Sequence, residues 1–174
     1  SDTIVTEGWL RKMYGAAYSS ATVGSVTPLT NNGTICSFPT FCADNALPEG
    51  YSLKNIAQLI EEVSDKWYPS LPSAVGFCMY IKREVIDKIG VLDSAFGKGY
   101  GEENDCCCRS QAAGYKDILD DATYVFHKGS MSFQGAKDDL TKRNSEIIRE
   151  RYPKYFEDVA KFCAEFPLST IHAK

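Results

Sequence analysis

Phe96-Gly97-Lys98-Gly99-Tyr100-Gly101-Glu102-Glu103-Asn104-Asp105-Cys106-Cys107-Cys108-Arg109 joins a glycine loop to an acidic helix start. Glycine at 97, 99 and 101 lets the backbone adopt positive φ and lets a ligand approach it closely. Glu102, Glu103 and Asp105 then fall in the first helical turn, where the helix dipole favours negative charge. That placement has a purely structural explanation, since acids stabilise any first turn. It also has a chemical one: a carboxylate kept ionised beside an open loop can act as a general base. The helix is expected to end at Gly114. Residues 122–127 then read as a strand that delivers His127, followed by Lys128-Gly129-Ser130. Ligands of open α/β sheets sit beyond the carboxyl ends of strands. An imidazole there can ligate a metal, or simply be satisfied by neighbouring polar groups.

Outward from this centre, strands alternate with helices. Residues 6–19 read as a helix capped by Thr6, with Trp9, Leu10, Met13 and Ala17 on one face. Residues 23–28 read as a short strand. Residues 29–52 form a long Asn/Gly/Pro-rich loop, of a length associated with function. Ser52 caps a helix in which Leu53, Ile56, Ile60, Val63 and Trp67 recur at spacings of three and four, before Pro69 and Pro72 stop it. Residues 74–81, the longest apolar run, read as a buried strand. Residues 83–89 read as a helix with Gly90 as its C-cap. The tail, residues 135–166, reads as helical and broken at Pro153; Tyr155, Phe156, Val159, Phe162 and Cys163 mark its second apolar stripe. The alternation places the chain in the α/β class, with a body over residues 1–134 and a helical extension over 135–174.

The 174 residues suffice for one domain, and 44% are hydrophobic, with ten Tyr and nine Phe, so a packed core is expected. A net charge of −4 and the lack of a basic block argue against a nucleic-acid partner. Lys82-Arg83 and Lys142-Arg143 read as solvated helix charges. The seven cysteines are odd in number, none is in a C-x-x-C spacing and three are consecutive, which suits neither a disulfide framework nor a zinc site. A reducing, cytoplasmic compartment is therefore expected, with Cys106, Cys107 and Cys108 packed as small hydrophobes. No apolar run approaches the ~20 residues of a membrane helix, and no signal peptide is expected. Asn32-Gly33-Thr34 matches a glycosylation sequon and reads as a turn.

Taken in order, five segments resemble the GT-A type glycosyltransferases of family 2. Ser1-Asp2-Thr3-Ile4-Val5-Thr6-Glu7-Gly8-Trp9-Leu10 is similar to the stretch that carries the family's D-x-D or N-x-D metal motif. Residues 26–39 resemble the strand and loop that follow it, and residues 76–93 the strand, helix and turn before the acidic motif. Residues 96–109 match that motif closely, and Tyr124-Val125-Phe126-His127-Lys128-Gly129-Ser130 matches the closing histidine strand. The likeness runs from the first residue to about Phe133, and the Tyr152-Pro153 tail shares it.

The resemblance implies the C-terminal half of a GT-A catalytic domain: a mixed sheet flanked by helices, with a helical tail. Asp2 matches the last acid of the metal motif, and His127 the histidine that completes a Mg²⁺ or Mn²⁺ site. Glu103 matches the catalytic base of inverting members. Glu102, Tyr100 and Gly101 fall on the acceptor side; Asp105 anchors the helix start or contacts acceptor; Lys128 falls where it could assist at the phosphates, or it is simply a solvated lysine. The family's nucleotide-binding half has no counterpart in this sequence, so the chain is expected to be part of a longer enzyme and to turn over little alone. The implied reaction moves a sugar from a nucleotide-diphospho-sugar donor to a glycan or lipid-linked acceptor with inversion, as in cell-surface polysaccharide synthesis, with peripheral association at the cytoplasmic face of a membrane. Two other readings fit the residues: a non-catalytic sugar-binding module of the same fold, and a metal-dependent nucleotide-sugar hydrolase.

Overall fold

The computed structural model describes residues 2–97, 99–129 and 137–174; Ser1, Lys98, Ser130, Phe133 and Gly135, which fall in segments named above, lie outside the described residues. Two strands form its spine. β2 (Val23–Leu29) and β5 (Lys116–Tyr124) run parallel. Short antiparallel strands flank them, β3 (Ser70–Leu71) on β5 and β4 (Tyr80–Ile81) on β2, giving the order β3-β5-β2-β4. Between β2 and β5 the chain passes through α2 (Leu53–Val63), α3 (Arg83–Ile89) and α4 (Glu102–Ala112), as a parallel connection demands. A separate two-stranded ribbon pairs β1 (Thr3–Ile4) with β6 (Phe126–His127) in antiparallel register. The class is α/β, a mixed sheet flanked by helices. All seven residues of β2 are buried, the pattern of a strand covered on both faces.

Two apolar clusters hold the layers together. α1 (Trp9–Ala17) sets Met13, Ala16 and Ala17 against Val23, Val26 and Ile118. α2 sets Ile56, Ala57 and Ile60 against Leu29, Leu119 and Tyr124. α4 comes so near β2 that a Cβ on Gly24 would stand 2.6 Å from Ser110 Oγ. The tail continues as α5 (Lys137–Arg151), α6 (Tyr155–Glu165) and α7 (Ser169–His172), with the break at Pro153 as expected. Leu168 between α6 and α7 is fully buried in the α2 cluster.

Several local expectations are corrected. α1 starts after Gly8, at φ 71°, and not at Thr6; the Thr6 hydroxyl instead donates to the Tyr124 carbonyl at 2.7 Å. α2 does begin at a reciprocal Ser52–Asn55 cap, but it ends at Val63. The Asp121 carboxylate ends it by accepting from Ser64 Oγ and from the Trp67 and Tyr68 amides at 2.8–3.2 Å, which leaves Trp67 exposed. Residues 74–81 are not one buried strand. Only Tyr80 and Ile81 pair in the sheet; the Ala74 amide donates to Cys107 Sγ and the Val75 amide to Thr27 Oγ1, so side chains take the place of a neighbouring strand. Lys82 is not a solvated charge. It is 1% exposed, its ammonium donates to the Ser20 carbonyl at 3.0 Å and it lies over the Tyr18 ring. Cys106 and Cys107 are buried and Cys108 half-buried, as small hydrophobes would be. Among the described residues no helix is long and apolar enough to cross a membrane.

Candidate functional site

Asp2 and His127 meet although 125 residues separate them. The β1–β6 register sets Thr3 opposite His127, and the Lys128 amide extends the ladder to the Asp2 carbonyl at 2.9 Å. This brings His127 Nε2 to 3.2 Å from Asp2 Oδ2. The imidazole is held from three sides. Its Nδ1 faces the Asn32 carbonyl, which fixes Nδ1–H as donor and points Nε2 toward Asp2. The Asn31 side chain clasps its backbone, accepting from the His127 amide at 2.8 Å and donating to its carbonyl at 2.9 Å. Phe77 stacks on its ring at 5.3 Å between centroids. Gly129 closes the turn: a Cβ there would stand 2.2 Å from Asn32 Nδ2.

A neutral imidazole with this tautomer and a carboxylate are both acceptors, and at 3.2 Å they need a cation between them. A proton on Nε2 would serve. A divalent ion would serve as well, since two donors about 2.1 Å from one ion at a right angle stand about 3 Å apart. Asp2 and His127 therefore fit such an ion as two of its ligands. Among the described residues no group of three or more His, Cys, Asp or Glu could hold a metal, so other ligands would be water or substrate oxygens.

The acidic loop forms the second part. Gly97, Gly99, Tyr100 and Gly101 all have positive φ, between 66° and 125°. Gly101 caps α4, and a Cβ on it would press the Phe96 ring at 3.2 Å. Its amide donates to Glu103 Oε2 at 3.1 Å. From α5, the buried Asn144 amide donates to the Phe96 and Gly99 carbonyls at 2.9 and 2.8 Å and so ties the loop from beneath.

The three acids of this turn have three different fates. Glu103 lines a cavity of about 460 Å³ walled by Val75, Tyr155, Phe156 and Val159. Burial raises its pKa, and the Glu102 carboxylate raises it further, against the hydrogen bonds from its own amide and from Gly101. This corrects the expectation of a carboxylate kept readily ionised by the helix dipole, which is worth about 0.3–1 kcal/mol at an exposed terminus and is outweighed by desolvation in an apolar cavity. Glu102 lies under Gly99 with Oε2 buried and without a hydrogen bond. Asp105 is fully buried. It accepts from Arg109 Nε at 2.7 Å and from Arg151 Nη1 and the Tyr152 hydroxyl at 2.8 Å each. Burial opposes its ionisation, but those three donors together hold its pKa below the ordinary range. Its oxygens are thus engaged by these three donors at the start of α4.

Residues 76 and 77 join the two parts. A Cβ on Gly76 would touch the Glu103 carboxyl at 3.5 Å, while the next ring, Phe77, covers His127. Of the residues singled out in the sequence, His127 and Glu103 thus flank one short segment, with Asp2 joined to it through His127, Lys128 exposed beside that pair and Tyr100 half-buried in the glycine loop. Sequence reasoning passed over Asn31, Asn32, Phe77 and Asn144. Asn31-Asn32 lies just past a buried strand and was available as a signal; Asn144 had none, lying in a polar helix. No family model matches this chain, and no curated protein matches it.

Proposed function

We propose that the chain forms the acceptor and metal side of an inverting GT-A glycosyltransferase of family 2, acting on a nucleotide-diphospho-sugar donor and a glycan or lipid-linked acceptor. The observation that carries this reading is the Asp2–His127 pair, with Nε2 locked toward the carboxylate. Bound there, Mg²⁺ or Mn²⁺ would supply Lewis acidity toward a departing diphosphate. Glu103 takes the acceptor hydroxyl proton as that oxygen bonds to the anomeric carbon and the bond to phosphate breaks on the opposite face. A carboxylate with a raised pKa is the stronger base for this step, and the cavity beside it is lined mainly by apolar surface. Asn31, Asn32 and Phe77 orient the imidazole; Asn144 holds the loop that aims Glu103.

Manganese tests the reading on this chain directly. His127 and His172 are its two histidines, so their imidazole resonances are easily separated. Paramagnetic Mn²⁺ at low concentration should broaden the His127 signals and spare those of His172. Asp2→Ala should weaken that effect at least about tenfold. Equal broadening of both rings, or none at His127, would leave Asp2 and His127 as an ordinary ion pair and remove the metal from the proposal.

A further inference from the structure

The Cys42 and Cys163 sulfurs lie 3.4 Å apart although 121 residues separate them. Cys42 is exposed, on the irregular segment after the 3-10 turn Thr34–Cys36; Cys163 is half-buried on α6. An aromatic clasp aligns the two segments. Phe41 stacks on Phe166 at 4.5 Å and meets Phe162 at 6.3 Å, and the His172 ring packs against Phe38, Phe41 and Phe166. Both sulfurs also line the cavity that Glu103 enters.

We infer that Cys42 and Cys163 form a reversible disulfide that fastens α6 to the loop at the rim of this cavity. This inference does not depend on the glycosyltransferase reading. A disulfide needs its sulfurs about 2.05 Å apart, so closure from the observed contact requires a shift of about 1.4 Å, within reach of a segment that has no sheet or helix pairing to break. The other candidates are poorer. Cys36 and Cys107 are fully enclosed, and Cys78 rests against Met13 Sδ at 3.9 Å. The oxidant is a small-molecule disulfide such as oxidised glutathione. One thiolate attacks it, releasing one thiol and forming a mixed disulfide; the second protein sulfur attacks that bond and releases the second thiol. Two protein thiol hydrogens are lost as the protein sulfurs join, and the small disulfide is reduced to two thiols.

The test is to treat the folded chain with oxidised glutathione, alkylate the remaining thiols under denaturing conditions and digest without reduction. Cleavage after Phe41 separates Cys36 from Cys42. The expected product is a single Cys42–Cys163 cross-linked pair, two hydrogens lighter, with the other five of the seven cysteines alkylated. Closing so long a loop should raise Tm by roughly 5–15 °C, reversed by dithiothreitol. Cys163→Ser should abolish both the cross-link and the rise while melting like the reduced wild type. Should that variant fold poorly, the peptide map of the wild type decides alone. Stable glutathione adducts on both sulfurs, a Cys36–Cys42 link, or seven alkylated cysteines in the oxidised protein would each overturn the inference.

Discussion

Glu103 and Asp105 stand two residues apart in one helical turn, and their surroundings push them in opposite directions. Asp105 gives its oxygens to Arg109, Arg151 and Tyr152 and stays ionised to lower pH than usual. Glu103 has backbone hydrogen bonds from its own amide and from Gly101, but also an apolar wall and a second carboxylate beside it, and holds its proton to higher pH. Such a split separates a structural acid from one suited to proton transfer. It gives a residue-level prediction. In carboxyl-¹³C glutamate spectra, Glu103 should titrate above its ordinary value of 4.5. Burial is the larger cause and Glu102 the second, so Glu102→Gln should lower the inflection without returning it fully to that value. An inflection unmoved by Glu102→Gln would show that the two carboxyls do not interact. The same variant should leave Mn²⁺ broadening of His127 intact, because Glu102 is no part of that pair.

At the scale of elements, the tail helices prop the acidic motif. α5 supplies Asn144 under the glycine loop, and Arg151 at its end reaches both Asp93 and Asp105. Asp105→Ala leaves two guanidinium groups and a phenol without their shared acceptor, a loss of about 3–5 kcal/mol for a broken buried pair. Tm should fall by roughly 10 °C in a chain of this size. Asp93→Ala removes a half-exposed partner of Arg151 and the acceptor that caps the Ala95 amide, and should lower Tm less. Equal losses in the two variants would show that burial of Asp105 contributes nothing special. This hub also marks the limit of what local sequence carries. The Ser52–Asn55 cap, the Gly90 stop, the Pro153 break and the glycine-to-helix step at Gly101 are set within a few residues, and each was legible. The hydrophobic run at 74–81 was misread because apolar content does not reveal whether a sheet edge is open to it; Cys107 and Thr27 take its amides instead. Asp2 and His127 were legible as a pair only through the order of motifs, whereas the grip of Asn31, Asn32 and Asn144 depends on contacts 45 to 96 residues long that no local pattern encodes.

Across the whole molecule, the chain's far end is folded back onto the loop that follows β2. Leu168 enters the α2 cluster, Phe41 stacks between loop and α6, and His172 seals the contact. His172, near the terminus, is half-buried among three phenylalanines. Its Nδ1–H donates to the Pro39 carbonyl at 2.9 Å, so Nε2 carries the lone pair, and Nε2 is buried without a partner. Protonating it would place a charge and an unmatched N–H among aromatic rings. Burial accordingly lowers its pKa from the ordinary 6.5, with the Pro39 bond opposing only in part. The sign follows from linkage. Below 6.5 the unfolded chain takes up a proton that the folded chain refuses, so the unfolded state binds more protons and stability falls as pH drops. The contribution is complete above 6.5 and is lost progressively below it, down to the lowered folded-state value. Melting the chain in steps from about pH 7.5 to about pH 5.5 spans the ordinary imidazole range, and comparison with a variant at position 172 isolates this group from the other titrating side chains. Tm should decline across that interval in the wild type. His172→Phe keeps an aromatic ring in the clasp and removes the titration, so its Tm should change less with pH, even if its absolute value shifts through the lost Pro39 bond. A His172→Phe curve parallel to the wild type would mean that the tail's docking is indifferent to this imidazole's charge.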